Sequence, residues 1–173
     1  MKIIDCSLLE HGAQILAILN DAIATSTALY DYKPRPPEAM TIWFDAKQKG
    51  NFPVLGAVAE DGTLMAFASY GTFRNYHAYK YSVEHSVYVH QAHRGKGLSV
   101  VLMNELMARA QAQNYHLLVG CIDAGNDASI ALHKKLGFTH SGTITQVGFK
   151  FGRWLDAAFY QKVLATPDEP LDG

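Results

Sequence analysis

Residues 94 to 99, Arg94-Gly95-Lys96-Gly97-Leu98-Ser99, set two glycines and two cations directly ahead of a long run with helical spacing. A helix start leaves its first N–H groups without intrahelical partners and carries roughly half a positive charge. Glycines just before it let the main chain approach a ligand and take conformations closed to other residues. The combination suits a phosphate or diphosphate, with Arg94 and Lys96 as charges at the rim. The competing reading is a solvated basic turn that ends a strand. No G-x-x-x-x-G-K-S/T and no G-x-G-x-x-G pattern is present, which sets aside those nucleotide loops. A second group surrounds Glu84, in "YSVEHSVYV", whose neighbours are mostly apolar or aromatic. Partial burial there would raise its pKa toward a value useful to a general base. The alternative is a strand-end carboxylate, or an ion-pair partner of Lys80 or Arg74. Arg74, in "TFRNYHAY", has the fork that grips a carboxylate with two parallel hydrogen bonds, with Asn75, Tyr76 and His85 as companions. Its alternative is a surface arginine. Tyr30, Phe73 and Trp154 could line a pocket or simply be core. His85, His90 and His93 are close in sequence, but His85 and His90 are five apart on a strand and face opposite sides, so no metal is expected.

These groups need elements to hold them. "KIIDCS" is a short strand, and Ser7 or Asp5 caps a helix whose apolar positions Ile15, Ile18, Leu19 and Ala22 recur at helical spacing. "TSTALYDYKPRPP" is a loop, and a second helix runs from about Pro37 to Lys49. Two apolar runs around Asp61-Gly62 predict a hairpin. The Val- and Tyr-rich segment ending in "EHSVYVH" is a further strand. The helix after the glycine corner extends from about Leu98 to Gln113, with Leu98, Leu102, Leu106 and Ala110 as its apolar stripe. "HLLVGCID" is a buried strand, and "NDASIALHKKLGF" is a helix closed by Gly137. Two more strands follow. The order is strand, two helices, three strands, helix, strand, helix, two strands. It predicts a mixed α/β sheet in a single domain over residues 1–165, with a loose, proline-bearing tail at 166–173.

Bulk properties narrow the classes. The 173 residues suit one domain with a full core, and a formal net charge of -1 offers no broad basic field for nucleic acid. No apolar stretch approaches ~18 residues, so no membrane partner is expected. The two cysteines, Cys6 and Cys121, form no CxxC, and the start lacks a leader pattern. A soluble, cytoplasmic protein with reduced thiols is expected.

"RGKGLS" resembles the Q/R-x-x-G-x-G/A motif of the GNAT acetyltransferase superfamily, with Arg94, Gly97 and Ser99 on its defining places. Ser99 departs from the usual Gly or Ala; being small and keeping its N–H, it should preserve the loop. Asn126, Ser129, His133 and "LGF" at 136–138 resemble the second signature of that superfamily. The resemblance implies the GNAT fold, an α/β (α+β) architecture. Its central mixed, mostly antiparallel, twisted sheet is flanked by helices and splayed at the acetyl-CoA site. It implies that the 94–99 loop, Gly95, Lys96 and Leu98 included, cradles the pyrophosphate of acetyl-CoA. Val87, Tyr88 and Val89 would give backbone contacts to the pantetheine, and Asn126, Ser129 and His133 would complete the coenzyme contacts. "VEHSVYV", "RGKGL", "LHKKLGF" and "KFGRWLD" together resemble the phosphinothricin and methionine sulfoximine N-acetyltransferase group. That likeness implies acetylation of the amino group of small amino acids with a polar, tetrahedral side chain. It also implies a homodimer with the acceptor pocket near the interface. Glu84 falls where the group carries a proposed base. His133 stands where many members have a tyrosine that protonates departing CoA, and a modest role by orientation or hydrogen bonding is expected of it. The alternatives are acetylation of protein N-termini, which Arg74 argues against, and a catalytically idle acyl-CoA sensor.

Overall fold

In the computed structural model, which describes residues 1–173, the elements follow in the order expected from periodicity. They are β1 (Lys2–Asp5), α1 (Leu8–Thr25), α2 (Glu38–Lys49), β2 (Val54–Val58), β3 (Leu64–Thr72), β4 (Ser82–Val89), α3 (Leu98–Ala112), β5 (Leu117–Asp123), α4 (Asp127–Lys135), β6 (Thr139–Lys150) and β7 (Arg153–Val163). The strands form one seven-stranded sheet in the order β1-β2-β3-β4-β5-β7-β6. Pairs β1/β2, β2/β3, β5/β7 and β6/β7 are antiparallel, and β4/β5 is parallel. The sheet is thus mixed and mostly antiparallel, as expected. The chain divides into two compact units, residues 1–71 with 86–106, and residues 72–85 with 107–173. Strand β4 and helix α3 each contribute to both.

In the first unit Ser7 caps α1, its Oγ accepting the Glu10 N–H at 3.2 Å, a contact worth about 1 kcal/mol. Ile15, Ile18 and Leu19 of α1 join Met40 of α2 and Val54, Val58, Leu64 and Phe67 of β2 and β3 in one apolar cluster. Area removal from water is its main support. The Asp61-Gly62 turn forms, with Gly62 at φ 88, where a side chain would be strained. Gln14 of α1 accepts the Leu64 N–H at 2.7 Å and so ties the helix to the start of β3.

The second unit is built on β5, whose Leu118, Val119 and Ile122 are buried. Its parallel register with β4 runs from Ser82↔Leu117 to Glu84↔Val119, and its antiparallel register with β7 covers its whole length. Asn126 caps α4 through its Oδ1, which accepts the Ser129 N–H at 3.1 Å. Gly137, at φ 82, ends that helix, and the Phe138 N–H reaches back to the His133 carbonyl at 2.9 Å. In the C-terminal segment, Thr166 Oγ1 donates to the Tyr115 carbonyl at 2.6 Å and the Leu171 N–H donates to Tyr81 Oη at 3.1 Å.

Candidate functional site

Strand parity divides the chemistry of β4. Successive side chains leave a strand on opposite faces, and paired residues of neighbouring strands share a face. Glu84 therefore lies on the face of its partner Val119 and of Cys121, two residues further along β5. His85 lies on the other face with Gly120. Burial pushes the Glu84 carboxyl above its ordinary value of 4.5. It makes no ion pair with Lys80 or Arg74. The Cys121 thiol is also raised, first by burial and then by the negative charge of Glu84. The placing of Cys121 on the Glu84 face is one that sequence reading missed; only the β4/β5 register sets it there.

His85 departs from the expectation that it would accompany Arg74. It is 6% exposed and stacks on His133, which is 3% exposed. The ring centroids are 5.1 Å apart, the planes 27° apart, and the two Nε2 atoms 2.8 Å apart. Phe138 packs against both rings at 5.1 Å. Gly120 makes room for the couple: a Cβ there would stand 2.9 Å from His85 Cε1 and 3.0 Å from His133 Nε2. Sequence reading passed over this glycine, although glycine inside a strand often marks a close approach.

In the first unit, the 94–99 segment has the conformation that its glycines permit. Gly95 and Gly97 sit at φ 75 and φ 74, and a Cβ at either would meet nothing within 4 Å. Glycine is therefore needed here for backbone conformation and not for space. The Gly97 carbonyl accepts the N–H groups of Val100 and Val101 at 3.1 and 3.3 Å. The N–H groups of Gly97, Leu98 and Ser99 have no acceptor inside the chain, which is the donor set an anion needs. Leu98 itself turns into the core. Arg94 is held only loosely, 3.8 Å from Asp21 of α1, and Lys96 Nζ lies 3.4 Å from His93 Nδ1. These residues fit a diphosphate. Val87, Tyr88 and Val89 are partly buried, with the Tyr88 ring 5.4 Å from Phe67.

Arg74, Asn75 and Tyr76 are exposed in the second unit, just after β3. The Arg74 guanidinium lies 5.8 Å from the Phe73 ring, and Phe73 in turn meets Tyr79 edge-on at 5.7 Å. The Asn126 Oδ1 is used in the helix cap, and the Ser129 carbonyl accepts from His133 Nδ1 at 2.7 Å. No group of three His, Cys, Asp or Glu side chains is placed to hold a metal ion. No helix is long and apolar enough to cross a membrane.

Comparison with known proteins adds to this geometry. The acetyltransferase (GNAT) family model matches residues 17–138. The chain is 47% identical over 147 residues to the L-methionine sulfoximine/L-methionine sulfone acetyltransferase of Pseudomonas paraeruginosa, covering 85% of this chain and 86% of that one. It is 33% identical to the phosphinothricin N-acetyltransferase of Streptomyces viridochromogenes, over 91% of this chain and 85% of that one. The structure of a GNAT superfamily phosphinothricin acetyltransferase from Sinorhizobium meliloti in complex with acetyl-CoA superposes with a TM-score of 0.93. The two are 32% identical, with 99% of this chain and 94% of that one covered.

Proposed function

Because this chain belongs to the acetyltransferase (GNAT) family and is an acetyl-CoA-dependent N-acetyltransferase, we propose that its acceptor is the α-amino group of a small L-amino acid or analogue. The side chain of that acceptor would end in a polar, tetrahedral group, as in methionine sulfoximine, methionine sulfone or phosphinothricin. The 47% identity to an enzyme named for the first two carries this reading. Acetyl-CoA, when bound, supplies the thioester carbonyl that the amine attacks and the thiolate that leaves.

The chain's own residues divide the work. The Gly97, Leu98 and Ser99 N–H groups, with Arg94, Gly95 and Lys96, hold the diphosphate. Val87, Tyr88 and Val89 would offer main-chain groups to the pantetheine arm, and an N–H near Val87 or Tyr88 would serve as a preset donor to the thioester oxygen, contributing a few kcal/mol. Asn126 and Ser129, at the start of α4, would add coenzyme contacts, as the family resemblance implies. Glu84 takes the proton of the acceptor ammonium, directly or through one water; its raised pKa makes it a stronger base than an exposed carboxylate. Arg74 grips the acceptor carboxylate, with Asn75 and Tyr76 beside it.

A steady-state assay with acetyl-CoA against free amino acids, methionine sulfone, methionine sulfoximine and a peptide N-terminus tests the proposal. Acceptor-dependent thiol release is expected with the free amino-acid analogues. Turnover on the peptide alone would reassign the acceptor, and coenzyme binding without turnover would point to a sensor. Arg74→Ala is expected to raise the acceptor KM about 10- to 100-fold, the loss of one charge-assisted pair of hydrogen bonds. Acetyl-CoA KM should stay within about twofold.

We also propose a homodimer that works in the cytoplasm. Its support is the β6–β7 hairpin end, where Phe149 and Trp154 pair across the strands with ring centroids 5.1 Å apart and both stand exposed, Trp154 at 59%. Exposed paired aromatics of this kind suit an interaction site. Light scattering should give twice the 19.1 kDa chain mass, and Trp154→Glu should return it to one.

A further inference from the structure

The four ring nitrogens of His85 and His133 can be assigned one by one. His133 Nδ1 lies 2.7 Å from the Ser129 carbonyl, which can only accept, so Nδ1 carries a proton. The neutral ring then presents a lone pair at Nε2. His85 Nε2 lies 2.8 Å from that lone pair, and one proton must lie between them, so it belongs to His85 Nε2. His85 Nδ1 is left bare. It is buried and has no hydrogen-bond partner of normal geometry; the Val119 main chain beside the ring only offsets part of the effect of burial, and a bare acceptor is less costly there than a bare N–H. Two protons fill two hydrogen bonds, and the couple is neutral.

We propose that His85 is a positioning residue: its Nε2–H donates to His133 Nε2, and the neutral couple pins β4 to α4 at the residue beside Glu84. The surroundings support neutrality. Phe138 lies against both rings, and Tyr160 of β7 is 6.3 Å from His133. Neither supplies the negative charge that would hold an imidazolium. Glu84 and Cys121 leave the sheet on the opposite face, and Lys134 and Lys135 of α4 are exposed. Burial lowers the pKa of both rings, that of His85 to about 3. Gly120 keeps the niche open. In this arrangement His133 has no proton to give a departing thiolate. Its Nδ1–H is committed to Ser129, and its Nε2 is an acceptor. Its effect on turnover is through the strand that carries Glu84.

This inference rests on Glu84 as the base, and its test separates the two. Long-range proton–nitrogen NMR on the wild-type chain reads the tautomers without any substrate. The expected result is His133 protonated at Nδ1, His85 protonated at Nε2, and both neutral from about pH 7 to 9, above the ordinary imidazole value of 6.5. His133 protonated at Nε2, or titrating within that range, would overturn the proposal. In kinetics, His85→Leu and His133→Asn are each expected to lower kcat about tenfold, the scale of a small misplacement of a reacting group. The double variant should fall no further, since both remove one contact. His85→Gln, which keeps an N–H at the same reach, should recover most of the loss. Multiplying effects, or a wild-type rate in His85→Leu, would also overturn it. A wild-type chain inert toward every amine would instead sink the acceptor reading, with the NMR tautomers still deciding the state of the couple.

Discussion

Glu84→Gln is expected to lower kcat by about 10²- to 10⁴-fold, the range that a positioned general base contributes. The amide keeps the size and loses the basicity. In the wild type, kcat/KM should rise with pH as Glu84 ionises, with the inflection above 4.5 because burial disfavours the carboxylate. That inflection should vanish in the variant; an unchanged pH profile would remove Glu84 from the role. Stability should move the other way. A carboxyl whose folded-state pKa is raised binds its proton more tightly folded than unfolded. Its unfavourable contribution begins as pH climbs past the unfolded value and is complete above the folded one. Glu84→Gln should therefore melt higher than the wild type near pH 8, with the gap closing as pH falls toward 4. A third readout comes from Cys121, whose thiol is raised in part by the Glu84 charge. Removing that charge should speed its alkylation by iodoacetamide at pH 8. A loss of activity with no change in melting or alkylation would mean that the carboxylate is not where the fold places it.

Gly97→Val is expected to weaken acetyl-CoA binding by about 10- to 100-fold, read by calorimetry. Gly97 holds φ 74, and its Cβ direction is open, so the substitution meets no clash. What it meets is the left-handed backbone conformation, which costs a residue with a side chain about 1–3 kcal/mol, more where the residue is β-branched. The chain relieves that strain by swinging out of the conformation that turns the Gly97, Leu98 and Ser99 N–H groups outward. Tenfold corresponds to about 1.4 kcal/mol. Gly62→Val is the control: the same strain at φ 88 in the β2–β3 turn should lower melting temperature and leave coenzyme affinity unchanged. Equal affinity in wild type and Gly97→Val would mean that the diphosphate is held elsewhere.

Much of the architecture is legible in the chain because its causes are local. Helical spacing of Ile15, Ile18, Leu19 and Ala22 predicts the buried side of α1, and those residues are buried. Ser7, Gly62 and Gly137 act as cap, turn and helix stop because each role depends on the residue's own hydroxyl or its freedom at positive φ. The glycine corner is legible for the same reason. Its donors are main-chain groups, and their exposure follows from a helix beginning at Leu98.

What tertiary structure decided is which side chains meet across strands and helices. Sequence alternation separates Glu84 from His85, but nothing in "VEHSVYV" says what lies on either face. The parallel register of β4 with β5 puts Cys121 on the Glu84 face. The seating of α4 puts His133 against His85, over a gap that exists only because residue 120 has no side chain. Residues 85, 120 and 133 are far apart in the chain, and their meeting depends on strand order and helix packing. Hydrophobic periodicity encodes an inward face and carries no information about the partner waiting there. The sequence alone thus determined the elements, the conformation of the glycine corner proposed to hold the diphosphate, and the choice of Glu84 as candidate base. Folding decided the surroundings that tune that base, because burial and charge act through space and not along the chain.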